Sequence, residues 1–242
     1  NGATTAGRSG LLRCVDRDTG ALQREERYVD GRPLGYRKFV DFDGGVTIGE
    51  VDAQGNRDGA HEVRWPDGTR RAEETYRHGA RVGLWRRFDR LGELERVGFD
   101  EPPRGTIAEM GFTRDGRLAE LRCAARPVLP DDTGPCGFEG EAAYDLFDRA
   151  GRVTARVTHL NGRRIAFTTF GPAGQPVMSE RVDGSTLTRT RHHPGGEPQA
   201  VTVLVDGRRQ SETEYTPAGQ KLRESRWEDG ARVSDTQWYM NG

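Results

Sequence analysis

No stretch of the chain approaches the ~18 consecutive apolar residues that a spanning helix needs. Large aliphatics are too sparse for one thick core of the kind a conventional enzyme builds, since only 33% of the 242 residues are apolar. A basic excess is missing as well: 37 Lys and Arg face 38 Asp and Glu, both signs are interspersed, and the net charge is −1. That balance argues against a nucleic-acid partner and gives little general attraction to anionic lipid. There is no strict Gly-X-Y period, which removes collagen. The chain also lacks a G-x-S-x-G, a P-loop and an H-E-x-x-H. Neither a catalytic constellation nor a cofactor is expected. His192-His193 has no third ligand suggested nearby, so no metal site is expected either.

Cysteine is scarce, at Cys14, Cys123 and Cys136. The last two bracket Ala124-Ala125-Arg126-Pro127-Val128-Leu129-Pro130-Asp131-Asp132-Thr133-Gly134-Pro135 without a CxxC or a metal-ligand spacing. Two readings stand: a disulfide stapling a Pro-rich loop, or two reduced thiols, which the odd third cysteine keeps open. A bridge would place the protein outside the cytosol. The opening Asn1-Gly2-Ala3-Thr4-Thr5-Ala6-Gly7 reads as a processed terminus or a cut boundary, with any signal peptide already out of view. The closing Asn241-Gly242 reads as the start of a further turn.

Glycine is what the chain has in plenty: 33 residues, roughly twice the ~7% average. Gly20, Gly31, Gly44, Gly55, Gly68, Gly79 and Gly92 are spaced 11, 13, 11, 13, 11 and 13 apart. From Gly151 the series resumes at Gly162, Gly174, Gly184, Gly196, Gly207, Gly219, Gly230 and Gly242, in steps of 10 to 12. Gly92, Gly116 and Gly140 hold the frame across the middle. Two steps make one repeat unit of about 23–24 residues, and such a period is the mark of a repeat architecture. Many of these glycines follow Asp or Asn, as in Asp30-Gly31, Asp43-Gly44, Asp67-Gly68, Asp115-Gly116, Asn161-Gly162, Asp183-Gly184, Asp206-Gly207 and Asp229-Gly230. These pairs tolerate the two positive φ angles of a type I′ turn. Between turns the residues alternate, with Val153, Ala155 and Val157 on one face. The expectation is an all-β fold, a long antiparallel meander of tandem hairpins with a wet face. It divides into an N-terminal segment (1–19), hairpin repeats (20–122), an irregular Pro-rich loop (123–140) and further repeats (141–242).

The segment Gly79-Ala80-Arg81-Val82-Gly83-Leu84-Trp85-Arg86-Arg87-Phe88-Asp89-Arg90-Leu91-Gly92-Glu93-Leu94 resembles the MORN-variant repeat of YwqK-type antitoxin proteins. Asp30 to Phe39 repeats it with Tyr36 in the tryptophan slot, and Trp65 to Gly79 and Tyr215 to Gly230 supply second halves. Where the GxW element drops out, Tyr144 to Val153 is similar to YD (Rhs-type) repeats. The resemblance implies an antitoxin or immunity protein that binds and neutralises a cognate toxin. With a disulfide, it implies a periplasmic or otherwise extracytoplasmic place of action. The alternative is a MORN-like repeat scaffold at a membrane surface, less favoured because Arg70-Arg71, Arg86-Arg87, Arg163-Arg164 and Arg208-Arg209 are offset by neighbouring acids. Exposed end strands would leave dimerisation open.

Two places are candidates for partner contact. The stapled loop would be rigid, lowering the entropic cost of binding, and its Asp131 and Asp132 would meet a basic surface on a toxin. The recurring aromatics read first as a packing ladder. Trp65, Trp85 and Trp227 are the ones to serve as anchors if exposed, because Trp, Tyr and Arg dominate binding hot spots.

Overall fold

Chain reversals set the architecture. The computed structural model describes residues 5–239, so the turn expected at Asn241-Gly242 lies outside the described residues. Every helix-length or longer regular segment among them is a strand, and the fold is all-β: two open antiparallel sheets of consecutive hairpins. The chain forms two compact units, one ending at Gly116 and the other starting at Arg117.

The first unit carries β1 (Gly10–Val15), β2 (Leu22–Val29), β3 (Arg32–Val40), β4 (Val46–Val51), β5 (Arg57–Arg64), β6 (Arg70–Arg77), β7 (Ala80–Arg81), β8 (Gly83–Phe88), β9 (Leu94–Asp100) and β10 (Thr106–Phe112). They lie in chain order, except that β7 and β8 both pair with β6. Within the N-terminal segment, β1 joins the repeat sheet, pairing with β2 from Gly10↔Tyr28 to Val15↔Leu22. The second unit opens with β11 (Leu118–Arg122) and the Pro-rich loop. It continues through β12 (Ala142–Phe147), β13 (Val153–Leu160), β14 (Arg163–Phe170), β15 (Pro176–Asp183), β16 (Thr186–His192), β17 (Pro198–Val205), β18 (Arg208–Tyr215), β19 (Lys221–Glu228) and β20 (Ala231–Gln237). Strands β12 to β20 form one sheet in strict chain order.

Two kinds of turn alternate, and only one is the expected type I′. At Asp30-Gly31 both φ angles are positive, 48° and 81°, and Asn161, Asp206 and Asp229 are positive before their glycines in the same way. Asp43, Asp67 and Asp115 do not take positive φ. Their glycines close a wider loop in which the Gly44 amide donates to the Asp41 carbonyl at 2.9 Å and the Asp41 amide to the Gly45 carbonyl at 2.7 Å. This is a type I turn followed by a left-handed glycine, the three-residue hairpin loop with a bulge. A carboxylate at the head of the loop accounts for several of them: Asp52, Asp89 and Asp148 each accept the backbone amides two and four residues on. Asp183-Gly184 differs again, because Asp183 pairs with Thr186 as a strand residue and Gly184-Ser185 makes the turn.

In the second unit the turn type tracks the glycine spacing. Each step ending at a wide loop (Gly174, Gly196, Gly219) is 12 residues, and each ending at a tight turn (Gly162, Gly184, Gly207, Gly230) is 10 or 11.

A single sheet has no second layer to bury its face against, so the first unit packs side chains flat on its own strands. The Trp85 ring lies over Gly98, where a Cβ would come within 2.2 Å of it, and the His61 ring lies over Gly49 at the same closeness. Here glycine is required by close approach. Arg37, His61 and Trp85 occupy one position at 24-residue steps. His61 and Trp85 are 5% and 3% exposed.

Candidate functional site

Under these rings runs a ladder of satisfied charges. Glu26 is fully buried, takes salt bridges from Arg24 and Arg37, and accepts the Tyr28 hydroxyl at 3.1 Å. The same Glu-x-Tyr pair returns 48 residues later. There the Tyr76 hydroxyl donates to Glu74 at 2.6 Å and Arg81 donates to Glu74 at 2.9 Å. Arg81 also reaches Asp100 at 2.8 Å, and Asp100 accepts the Trp85 indole N–H at 2.9 Å and the Thr106 hydroxyl at 2.7 Å. Burial opposes the charge of Glu74 and of Asp100, but these donors outweigh it and hold both carboxyls below their usual range. The network therefore stays ionised near neutrality.

On the same face lies an open groove of about 700 Å³. Its floor is small: Thr47 and Ala72, both buried, with half-buried Val63 between them. Cross-strand register puts these three side by side from β4 to β6, Thr47↔Val63↔Ala72, with Arg87 of β8 next in line. Arg57, Arg71 and Arg87 and the carboxylates of Asp41, Asp43, Glu74 and Glu95 border the floor, and Trp65, Phe88 and Phe42 complete the lining. The Trp65 indole donates to the Asp89 carbonyl at 3.2 Å, and the guanidiniums of Arg71 and Arg90 lie 4.4 and 4.9 Å from its ring centroid. That fixes the ring by cation–π contact. Phe42, second residue of the Asp41–Gly45 loop, is fully exposed.

The residues singled out from sequence do not converge on one place. Trp65 lines this groove. Trp85 is buried and hydrogen-bonded to Asp100, so it cannot anchor a partner, and the packing role is the correct one. Trp227 lies in the other unit, half-buried on β19 with Arg209 at 5.1 Å from its ring. In the Pro-rich loop Asp131 is exposed at φ 58°. Asp132 must be corrected: it is 0% exposed, and its Oδ2 accepts the amides of Val128 and Leu129, both at 3.0 Å. A carboxylate spent on capping its own loop is not offered to a toxin.

The loop itself is held at several points. Cys123 and Cys136 are joined in a disulfide, with Cα atoms 5.6 Å apart, while Cys14 is free and exposed. The Asn161-Gly162 turn seats against the loop, its amides donating to the carbonyls of Gly137 and Cys136 at 2.9 and 2.8 Å. A Cβ on Gly162 would fall 2.0 Å from the Ala124 carbonyl oxygen, so the seat admits glycine alone.

Sequence reasoning missed Phe42, Arg57 and Arg87. The available signal was a bulky aromatic inside Asp41-Phe42-Asp43-Gly44, a turn otherwise built of small polar residues. It also missed a serine–histidine pair. Ser179 Oγ is 3.0 Å from His192 Nε2, and His192 Nδ1 is 2.8 Å from the Gly196 carbonyl, which it can only meet as a donor. This has the order of nucleophile, base and orienting group. However, β15 and β16 are interior strands whose amides are committed to the sheet ladder on both sides, leaving a strand amide no freedom to stabilise an oxyanion. Among the described residues, no group of three His, Cys, Asp or Glu is placed to hold a metal. Nor is any helix among the described residues long and apolar enough to cross a membrane. Compared with known proteins, the chain matches no family model and no curated sequence.

Proposed function

We propose that this chain is a protein-binding repeat protein, an antitoxin or immunity protein that neutralises a secreted antibacterial toxin by direct contact. The observation that carries the reading is the groove of the first sheet. An exposed phenylalanine, a clamped tryptophan and arginines surround a small floor, and aromatic residues and arginine are the ones that concentrate binding energy in protein interfaces. Sheet-borne side chains with cation–π and hydrogen-bonded supports lose little freedom on binding, which lowers its cost. The resemblance to MORN-variant antitoxin repeats supplies the class of partner. The Cys123–Cys136 disulfide supports action in an oxidising compartment such as the periplasm.

The test is co-expression with the toxin-like product of the neighbouring reading frame, exported to the same compartment. Growth rescued by the wild type and lost with Phe42→Ser supports the proposal. Failure to rescue, together with salt-sensitive binding to vesicles of anionic lipid, would replace it with the membrane-scaffold reading.

A further inference from the structure

The seat under the Pro-rich loop carries chemistry of its own. We propose that Asn161 is a spontaneous deamidation site gated by the Cys123–Cys136 disulfide: intact while the bridge holds, and converted to aspartate and isoaspartate once a dithiol reduces it.

Deamidation makes three demands on a chain. The carboxamide must be open to water, the next residue must lack a Cβ that would crowd the forming ring, and its backbone nitrogen must be free to attack. Asn161 is exposed, which meets the first. Gly162 meets the second. The third is withheld. The Gly162 amide donates to the Cys136 carbonyl at 2.8 Å, and the Asn161 amide to the Gly137 carbonyl at 2.9 Å. A nitrogen whose proton is held by a covered carbonyl cannot pass that proton to a solvent base, so it does not act as a nucleophile.

Which carbonyl holds it is the decisive detail. Cys136 is fully buried and is one half of the disulfide, so the bond that closes the loop also fixes the acceptor of the Gly162 proton. Other tight turns lack such a seat. A Cβ at Gly207 or Gly230 would meet nothing within 4 Å, whereas at Gly162 it would meet the Ala124 carbonyl oxygen at 2.0 Å and the Phe138 ring at 3.1 Å.

The steps balance. A dithiol passes two electrons to the bridge, closing to its own cyclic disulfide and leaving thiols at Cys123 and Cys136. Without its covalent tie the loop gains open conformations, and local opening frees the Gly162 nitrogen. That nitrogen loses its proton to a solvent base and bonds to the side-chain carbonyl carbon of Asn161. The bond from that carbon to the carboxamide nitrogen breaks, and ammonia leaves with a proton. One water then opens the succinimide at either carbonyl, giving aspartate or isoaspartate. Isoaspartate lengthens the backbone by one carbon in a seat without room for a Cβ, so those chains do not reseat the loop after reoxidation.

The test incubates the intact protein in mildly alkaline buffer with and without dithiothreitol, quenches it in acid and digests it with trypsin. Mass spectrometry after chromatography resolves the Asn, Asp and isoaspartate forms of the peptide 157–163. Conversion should be at least about ten times faster in the reduced protein, because the closed seat reacts only through local opening. Cys123→Ala with Cys136→Ala should convert at the reduced rate with no reductant present. Asn56, whose side-chain amide donates to Asp52 at 3.2 Å and which precedes Arg57, should stay intact in both states. Far-UV circular dichroism should keep its strand signal on reduction, which separates release of the seat from unfolding of the sheet. Reoxidised isoaspartate chains should retain rapid hydrogen exchange through residues 123–140. Equal conversion in both states, no conversion in either, loss of the strand signal on reduction, or a loop that regains protection after isoaspartate has formed would overturn the proposal.

Discussion

The two sheets share a frame and differ in filling. Both are hairpin meanders with a glycine every 10 to 13 residues. The second keeps strict alternation of wide and tight turns, and one of its rows is small and β-branched or hydroxylated: Thr168↔Ser179↔Thr190↔Val201↔Thr213. Its ion pairs, such as Arg223–Asp235 and Arg189–Glu180, are partly exposed, a setting in which a pair contributes little. The first sheet breaks the alternation with three wide loops in succession, at Gly44, Gly55 and Gly68. It fills the same frame with buried rings and carboxylates. A regular repeat is enough to make a sheet. The departures from regularity are where a groove, and with it a function, is built.

Four changes would break or sharpen that contrast, each read unit by unit through peptide-resolved hydrogen exchange in urea. Glu26→Gln removes the acid between Arg24 and Arg37 and should cost the first unit about 3–4 kcal/mol, with the second unit unmoved. Reducing the disulfide, or Cys123→Ala with Cys136→Ala, opens a loop of sequence separation 13 and should cost about 3 kcal/mol. That loss belongs to the second unit alone. Gly98→Ala forces the Trp85 ring off its seat and should cost about 2 kcal/mol by overpacking. Trp85→Ala in the same chain should add less than it costs alone, because the two effects are coupled.

The smallest effect is one the sheets share. His61 and His159 are both buried with an unpartnered Nδ1, and burial pushes each imidazole below its ordinary value of 6.5. The Glu50 carbonyl partly offsets this at His61, while the charge of Arg164 adds to it at His159. The unfolded chain then binds protons more readily than the folded one. Stability is fully present above about pH 6.5 and falls as pH drops below it, until the folded imidazole itself titrates. His159→Gln should flatten this slope in the second unit and leave it in the first.

Much of the fold was legible because glycine leaves a mark in sequence wherever the chain reverses. Turn type was less so, since Asp-Gly serves two turns and the choice depends on the loop head, as with Asp41 three residues before Gly44. The aromatic ladder was visible as a period, but the burial of Trp85 depends on Gly98 across the sheet, which no local pattern reveals. Asp132 looked free because an acid in a Pro-rich loop carries no sign of the amides it caps. The groove was the least legible feature. Phe42, the two ends of β5 at Arg57 and Trp65, and Arg87 lie far apart in sequence, and cross-strand register brings them to one face.

The most direct test is hydrogen exchange on the intact protein with and without the neutralised toxin. The account predicts slowed exchange at the loops bordering the groove, Asp41–Gly45 and Trp65–Thr69, and no change across β16 to β20. Protection confined to the second sheet or to the disulfide loop, with the groove loops exchanging as in the free protein, would contradict it.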